Sequence, residues 1–198
     1  MNFLAHAWLS FNDPQILVGN MISDFVKGKK QYEFPDSIQR GIQLHRAIDK
    51  FTDEHAVTKQ IKEYFRPYYR LYSGAIVDIV YDHFLANDKN EFETQDALKD
   101  FAKHAYGQLD QQIELLPSSF QNMYVYMKRD NWLCNYGEDW LIERSMRGLE
   151  RRAEFLQETG MAFQVFVDNR TAISEQYREF FPALKSFAAH TFKELTKA

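Results

Sequence analysis

The chain is poor in cysteine, with one in 198 residues. Cys134 alone forms no internal disulfide and leaves no thiolate cluster for structural zinc, which fits a reducing compartment. Any bound metal must therefore take oxygen and nitrogen ligands. No apolar run approaches the roughly 20 residues needed to span a bilayer, and the opening Met1-Asn2-Phe3-Leu4-Ala5-His6 lacks the basic start of a signal peptide. The chain reads as cytoplasmic. Basic charge is also short: a net charge of −4 and a pI near 5.9 argue against general nucleic-acid binding. Local patches remain at Lys27, Lys29 and Lys30, and at Arg144, Arg147, Arg151 and Arg152, where solvated helix faces are the alternative reading.

Several familiar chemistries lack their signatures. There is no Gly-x-x-x-x-Gly-Lys-Ser/Thr loop or Gly-x-Gly-x-x-Gly turn to cradle phosphates, and no Gly-x-Ser-x-Gly elbow for a serine nucleophile. The zincin His-Glu-x-x-His is missing, as is the Glu-x-x-His of di-iron bundles, which lowers a redox reading below hydrolysis.

Only eight glycines and five prolines interrupt the chain, and its apolar residues recur with a helical period. The pattern predicts an all-α, single-domain compact bundle of about seven helices over residues 1–198. Asp13-Pro14 predicts a helix start, with the helix running to about Val26 and stopping near Gly28. A second helix should follow Pro35, Thr52-Asp53 should cap a third, and Ser73-Gly74 should open the most buried one. Further helices are expected at 92–115, 117–128, 138–157 and 162–195, the last interrupted near Pro182.

What the chain does have is a concentration of imidazole and carboxylate in its first 83 residues. His45 and Asp49 stand four apart, as do Asp78 and Asp82, so each pair lies about 40° apart on one helix face. Asp78 and Asp82 sit in an almost wholly apolar helix, where two carboxylates repel unless a cation or a proton lies between them. With His6, His55, His83, Asp24 and Asp53 nearby in sequence, the set suits manganese, iron, magnesium or zinc. An open metal position lowers the pKa of a bound water, so hydrolysis is the natural reaction class. Each residue also has a structural reading, as a hydrogen-bonded core histidine or a helix cap.

Four ordered blocks resemble the bacterial acyl-carrier-protein phosphodiesterases. They are the opening Met1 to His6; Gly19-Asn20 with Asp24-Phe25-Val26-Lys27-Gly28; Gly41-Ile42 with His45-Arg46, Ile48-Asp49, Phe51-Thr52-Asp53 and His55; and Asp78 with Tyr81-Asp82-His83-Phe84-Leu85. Beyond residue 90 the likeness is looser. The resemblance implies hydrolysis of the phosphodiester that joins 4′-phosphopantetheine to a serine of holo-acyl carrier protein. It also implies a Mn2+ or Mg2+ cofactor and a divergent HD-type phosphohydrolase fold. The usual His-Asp order appears here as Asp82-His83.

On that resemblance His6, Asp24, His45, Asp49, Asp78 and Asp82 supply or orient metal ligands, and Lys27 and Arg46 neutralise phosphoryl charge. His83 or His55 would protonate the leaving serine or hold the water. Carrier proteins are acidic, so a net negative chain would meet one through Lys27, Lys29 and Lys30, then Arg66 and Arg70. Tyr64, Phe65, Tyr68, Tyr69 and Tyr72 would line a groove for the pantetheine arm, or else pack in the core. The rivals are a related metallophosphohydrolase acting on a nucleotide or other small phosphoester, and a non-catalytic helical adaptor.

Overall fold

In a computed structural model that describes residues 1–152 and 160–197, ten α-helices carry the chain and no strand occurs among the described residues. They are α1 (Phe3–Trp8), α2 (Pro14–Ile22), α3 (Asp36–Glu54), α4 (Ala56–Tyr69) and α5 (Ser73–Ala86), then α6 (Gln95–Gln111), α7 (Ser118–Arg129), α8 (Trp132–Asn135), α9 (Asp139–Arg152) and α10 (Met161–Thr196). Helix α2 begins as its sequence requires: the Asp13 carboxylate accepts from the Gln15 and Ile16 amides, and Pro14 stands at the first position.

Two expected boundaries move. Helix α2 ends at Ile22 instead of Val26 and gives way to a 3-10 turn over Ser23–Phe25 and a left-handed Gly28. This early exit releases Asp24 from the helix and lets it turn toward α3. Thr52 does not cap α4. It lies inside α3 and donates its hydroxyl to the Ile48 carbonyl, while His55 takes the cap and accepts from the Val57 amide through Nδ1.

Pro182 does not interrupt α10, because Phe180, Phe181, Leu184 and Ala188 on both sides of it are buried in one core and hold the two halves on a common path. Residues 153–157 of the helix expected at 138–157 lie outside the described residues.

Helices α2 and α3 make the closest crossing. A Cβ on Gly19 would stand 2.1 Å from the Ile38 carbonyl oxygen, and one on Gly41 would stand 2.5 Å from that of Ile16. The two backbones meet only because both residues lack a side chain. Around this crossing α1 and α5 close one side and α10 covers α3, α4 and α5.

Candidate metal centre

The glycine crossing brings Asn20 against α3 and α1 at once. Its backbone carbonyl lies 2.7 Å from His45 Nδ1, and its side-chain Oδ1 lies 2.8 Å from His6 Nδ1. The Asn20 amide is oriented by its Nδ2, which donates to the His6 carbonyl and to Ser10 Oγ. Carbonyl and amide oxygens only accept, so both Nδ1 atoms carry hydrogen and each neutral ring keeps its lone pair on Nε2. The rings stack with centroids 3.8 Å apart and planes 14° from parallel.

Both Nε2 atoms face one carboxylate. His6 Nε2 is 3.2 Å from Asp49 Oδ1, and His45 Nε2 is 3.1 Å from Asp49 Oδ2. Asp24 Oδ1 approaches His45 Nε2 to 3.2 Å from the other side. Ligand atoms of His6, His45 and Asp49 all lie within 4.8 Å of one another. His6 Nε2 is buried with no hydrogen-bond partner, so a lone pair and a carboxylate face each other with nothing positive between them. The imidazoles are 3% and 5% exposed, whereas Asp49 is 38% and Asp24 69% exposed. The arrangement is a pit, blind behind the histidines and open at the two carboxylates. It fits a hard or borderline divalent cation with nitrogen and oxygen donors, and the histidine Nδ1 bonds are the outer support that such ligands use.

The electrostatics express the same demand. Burial and then the charge of His45 press the His6 pKa down to about 4. Burial opposes charge on His45 too, but its hydrogen bonds and attraction to Asp24 and Asp49 prevail and hold it up at about 9. Burial would raise Asp49; the charge of His6 and the bonds from both histidines win, and it is lowered. The bond from His45 lowers Asp24 as well. Without a cation, His45 carries the extra proton across neutral pH and His6 does not, so a single positive charge stands where a cation would sit.

A second tier of carboxylates holds α1 in place. Asp82 is fully buried on α5 and accepts from the Leu4 amide at 2.6 Å and from the Asn2 and Ala5 amides at 3.2 and 3.3 Å. Burial raises it to about 7 against the pull of those amides and of the Met1 amino group. Asp78 receives the Met1 amino group at 2.9 Å, and Asp49 receives the same group at 3.4 Å. Burial raises Asp78, opposed by that amino group. The six expected ligand or orienting residues therefore divide: His6, His45, Asp49 and Asp24 converge, while Asp78 and Asp82 grip the start of α1, which presents His6.

The other expected site residues lie apart from this cluster. Arg46 is exposed and ties the segment after Asp24 to α3, with Nη1 on Gln31 Oε1 at 2.6 Å and Nη2 on the Val26 carbonyl at 3.3 Å. Lys27, Lys29 and Lys30 are exposed on that segment. His55 caps α4, and its ring packs against Phe51 and Phe180. His83 bonds to the Tyr136 carbonyl through Nδ1 and faces Asp139 on α9. Of the aromatics expected to line a groove, Phe65 and Tyr69 are fully buried core residues, Tyr64 and Tyr72 are half-buried, and Tyr68 is exposed.

Asn20 and Ser10 were not legible as site residues. The signals available for Asn20 are its polar side chain inside the apolar run Ile16 to Ile22 and its place in the Gly19-Asn20 block of the resemblance.

Comparison with known proteins identifies the family. The family model described as acyl carrier protein phosphodiesterase matches residues 1–184, well beyond the four blocks near the start. Proteins named acyl carrier protein phosphodiesterase are similar along nearly their whole length. That of Yersinia pestis is 32% identical over 190 residues, covering 96% of this chain and 98% of the relative. That of Klebsiella pneumoniae subsp. pneumoniae is 32% identical over 191 residues, covering 95% and 97%. No solved structure matches the chain. The chain belongs to the acyl carrier protein phosphodiesterase family.

Proposed function

We propose that this chain hydrolyses the phosphodiester between 4′-phosphopantetheine and the serine of holo-acyl carrier protein, giving apo-protein and 4′-phosphopantetheine, with a divalent cation as cofactor. The observation that carries the reading is that two buried imidazole Nε2 atoms, that of His6 without a hydrogen-bond partner, are aimed at one half-exposed carboxylate. The names of the relatives supply the substrate.

His6, His45 and Asp49 would hold the cation, Mn2+ or Mg2+, with Asp24 at the open rim. When bound it supplies Lewis acidity toward the phosphoryl oxygens and an acidified water. The chain's own residues do the rest. Asn20 fixes both histidines as Nε2 donors of a lone pair. Asp82 and Asp78 hold the amides and amino group at the start of α1, so His6 does not drift. Arg46 pins the segment that carries Lys27, whose positive charge would offset that of the phosphate. The three exposed lysines at 27, 29 and 30 offer local positive charge to an acidic carrier protein from a net negative chain. Because His55 caps α4 and His83 bonds to the Tyr136 carbonyl, neither is assigned proton transfer at phosphorus. The helical scaffold and mixed ligand set support a distant kinship with HD-type phosphohydrolases.

Incubation with holo-acyl carrier protein and Mn2+, followed by intact-protein mass spectrometry, tests the reading. Loss of the phosphopantetheine mass that chelator prevents is expected. An unchanged holo-protein alongside cleavage of a nucleotide or generic phosphoester would reassign the substrate, and no metal uptake would leave the adaptor reading.

A further inference from the structure

His83 stands next to Asp82 in sequence but opens onto different space, because consecutive helical residues point about 100° apart. A cleft of about 750 Å3 lies there between α5, α9 and α10. The His83 side chain is 7% exposed, and its Nδ1 donates to the Tyr136 carbonyl at 3.0 Å. Its neutral ring therefore presents an Nε2 lone pair to the cleft, a fixed acceptor. Burial, more than any neighbouring charge, lowers its pKa and keeps the ring neutral.

Cationic side chains line the same cleft. Arg170 lies flat over Phe166, 4.7 Å from the ring centroid, with Nη2 on Asp139 Oδ1 at 2.7 Å and a buried Nε that has no hydrogen-bond partner. Arg178 and Lys89 line the same cleft. Helix α9 begins at Asp139, so its first-turn amides add to the positive potential. Of the acids present, Asp139 is committed to Arg170 and Asp88 accepts from Tyr177 Oη and the Asn90 amide, while Glu175 is exposed on α10. Asp139 Oδ1 stands 2.7 Å from Arg170 Nη2 and 4.0 Å from His83 Nε2, so a ligand oxygen would meet Arg170 at its remaining N–H groups.

A fixed acceptor beside several cationic donors selects an oxyanion that still carries a proton. Hydrogen phosphate and singly protonated phosphate monoesters meet both requirements; sulfate, of nearly the same size and charge, has no proton to give. We propose that this cleft binds protonated phosphate, with its oxygens on Arg170, Arg178 and Lys89 and its hydroxyl donating to His83 Nε2. The site is separate from the metal centre and stands whatever the chain hydrolyses.

Titration of the whole protein with inorganic phosphate and with sulfate at pH 7.5, followed by calorimetry, tests it. Phosphate should bind at least about tenfold more tightly than sulfate, the value of one well-placed hydrogen bond in a partly buried site. Arg178→Ala and Lys89→Ala, both at exposed positions, should weaken both anions. His83→Ala should erase the preference between them, and Asp49→Ala should leave it intact. A phenyl phosphate arm at pH 6, where about half of a monoester keeps its proton, separates sources: tighter binding than inorganic phosphate at that pH assigns the cleft to a monoester, weaker binding to the free ion. Equal affinity for phosphate and sulfate overturns the proposal. So does binding that survives both cation substitutions but disappears in Asp49→Ala, and so does no binding at 20 mM, on the order of the weakest useful affinity.

Discussion

Asn20→Leu removes one fully buried side chain of nearly unchanged shape and three hydrogen bonds, of 2.8, 2.8 and 3.1 Å. Two of the three partners keep other bonds, because Ser10 Oγ still donates to the His6 carbonyl at 2.8 Å. The third does not: His6 Nδ1 becomes a buried donor with no acceptor, at a cost of about 1–3 kcal/mol. The ring escapes most simply by moving its proton to Nε2, where Asp49 Oδ1 stands 3.2 Å away and accepts it. That shift restores a bond and removes a metal ligand. His45 is unaffected, since its Nδ1 bonds to the backbone of Asn20.

The expected signature is therefore a modest loss of stability, about 2 kcal/mol by urea unfolding in chelator. It comes with a Mn2+ affinity lowered about 10–100-fold, the usual cost of losing such outer support, read by competition with a chromogenic chelator. Nitrogen NMR of labelled histidine reads the tautomer directly. A variant that loses the stability but binds Mn2+ within about twofold of the parent would refute the argument and reduce Asn20 to packing.

Gly41→Ala should destabilise by about 3 kcal/mol, since its Cβ meets the Ile16 carbonyl at 2.5 Å and the Gly19 Cα at 2.8 Å; an unshifted thermal midpoint would show that the crossing can yield. Asp82→Asn keeps the shape but turns one acceptor oxygen into a donor facing the amides of α1. Turnover should fall at least about 100-fold with overall helicity retained, and amide exchange at Leu4 and Ala5 should quicken; unchanged exchange would sink the anchoring role. In chelator, stability should fall as pH rises. His45 holds its proton up to about 9 when folded against about 6.5 when unfolded, so its contribution is complete below about 6.5 and lost by about 9. The drop from pH 7 to 9 should reach about 2 kcal/mol by urea unfolding, and a flat profile would contradict the protonated state of His45.

The elements that proved legible carry their signal locally. Asp13-Pro14 announces α2, the apolar run from Ile76 to Leu85 announces α5, and the four-residue spacing of His45 and Asp49 puts both on one face of α3. What escaped depends on contacts across the chain. Gly19 and Gly41 look like ordinary weak points in two helices until the helices are laid together. His55 is not a usual capping residue, and only the turn into α4 shows its Nδ1 taking the Val57 amide. Helix α1 spans six residues, too short for a helical period to register or for the helix to stand alone.

That shortness explains the division of labour among the acidic residues. A six-residue helix has most of its amides unpaired, so a structure that needs His6 at the bottom of a pit must supply acceptors from elsewhere. Asp82 does so from the middle of α5 with both oxygens, which accounts for a fully buried carboxylate inside an apolar helix. The two pairs with the same spacing thus do different work: His45 and Asp49 both line the candidate cation site, whereas Asp78 and Asp82 bear on it through the helix they hold. The turn of the helix then sends His83 away from both. Adjacent residues Asp82 and His83 consequently meet different surroundings, the carboxylate the amides of α1 and the imidazole the Tyr136 carbonyl.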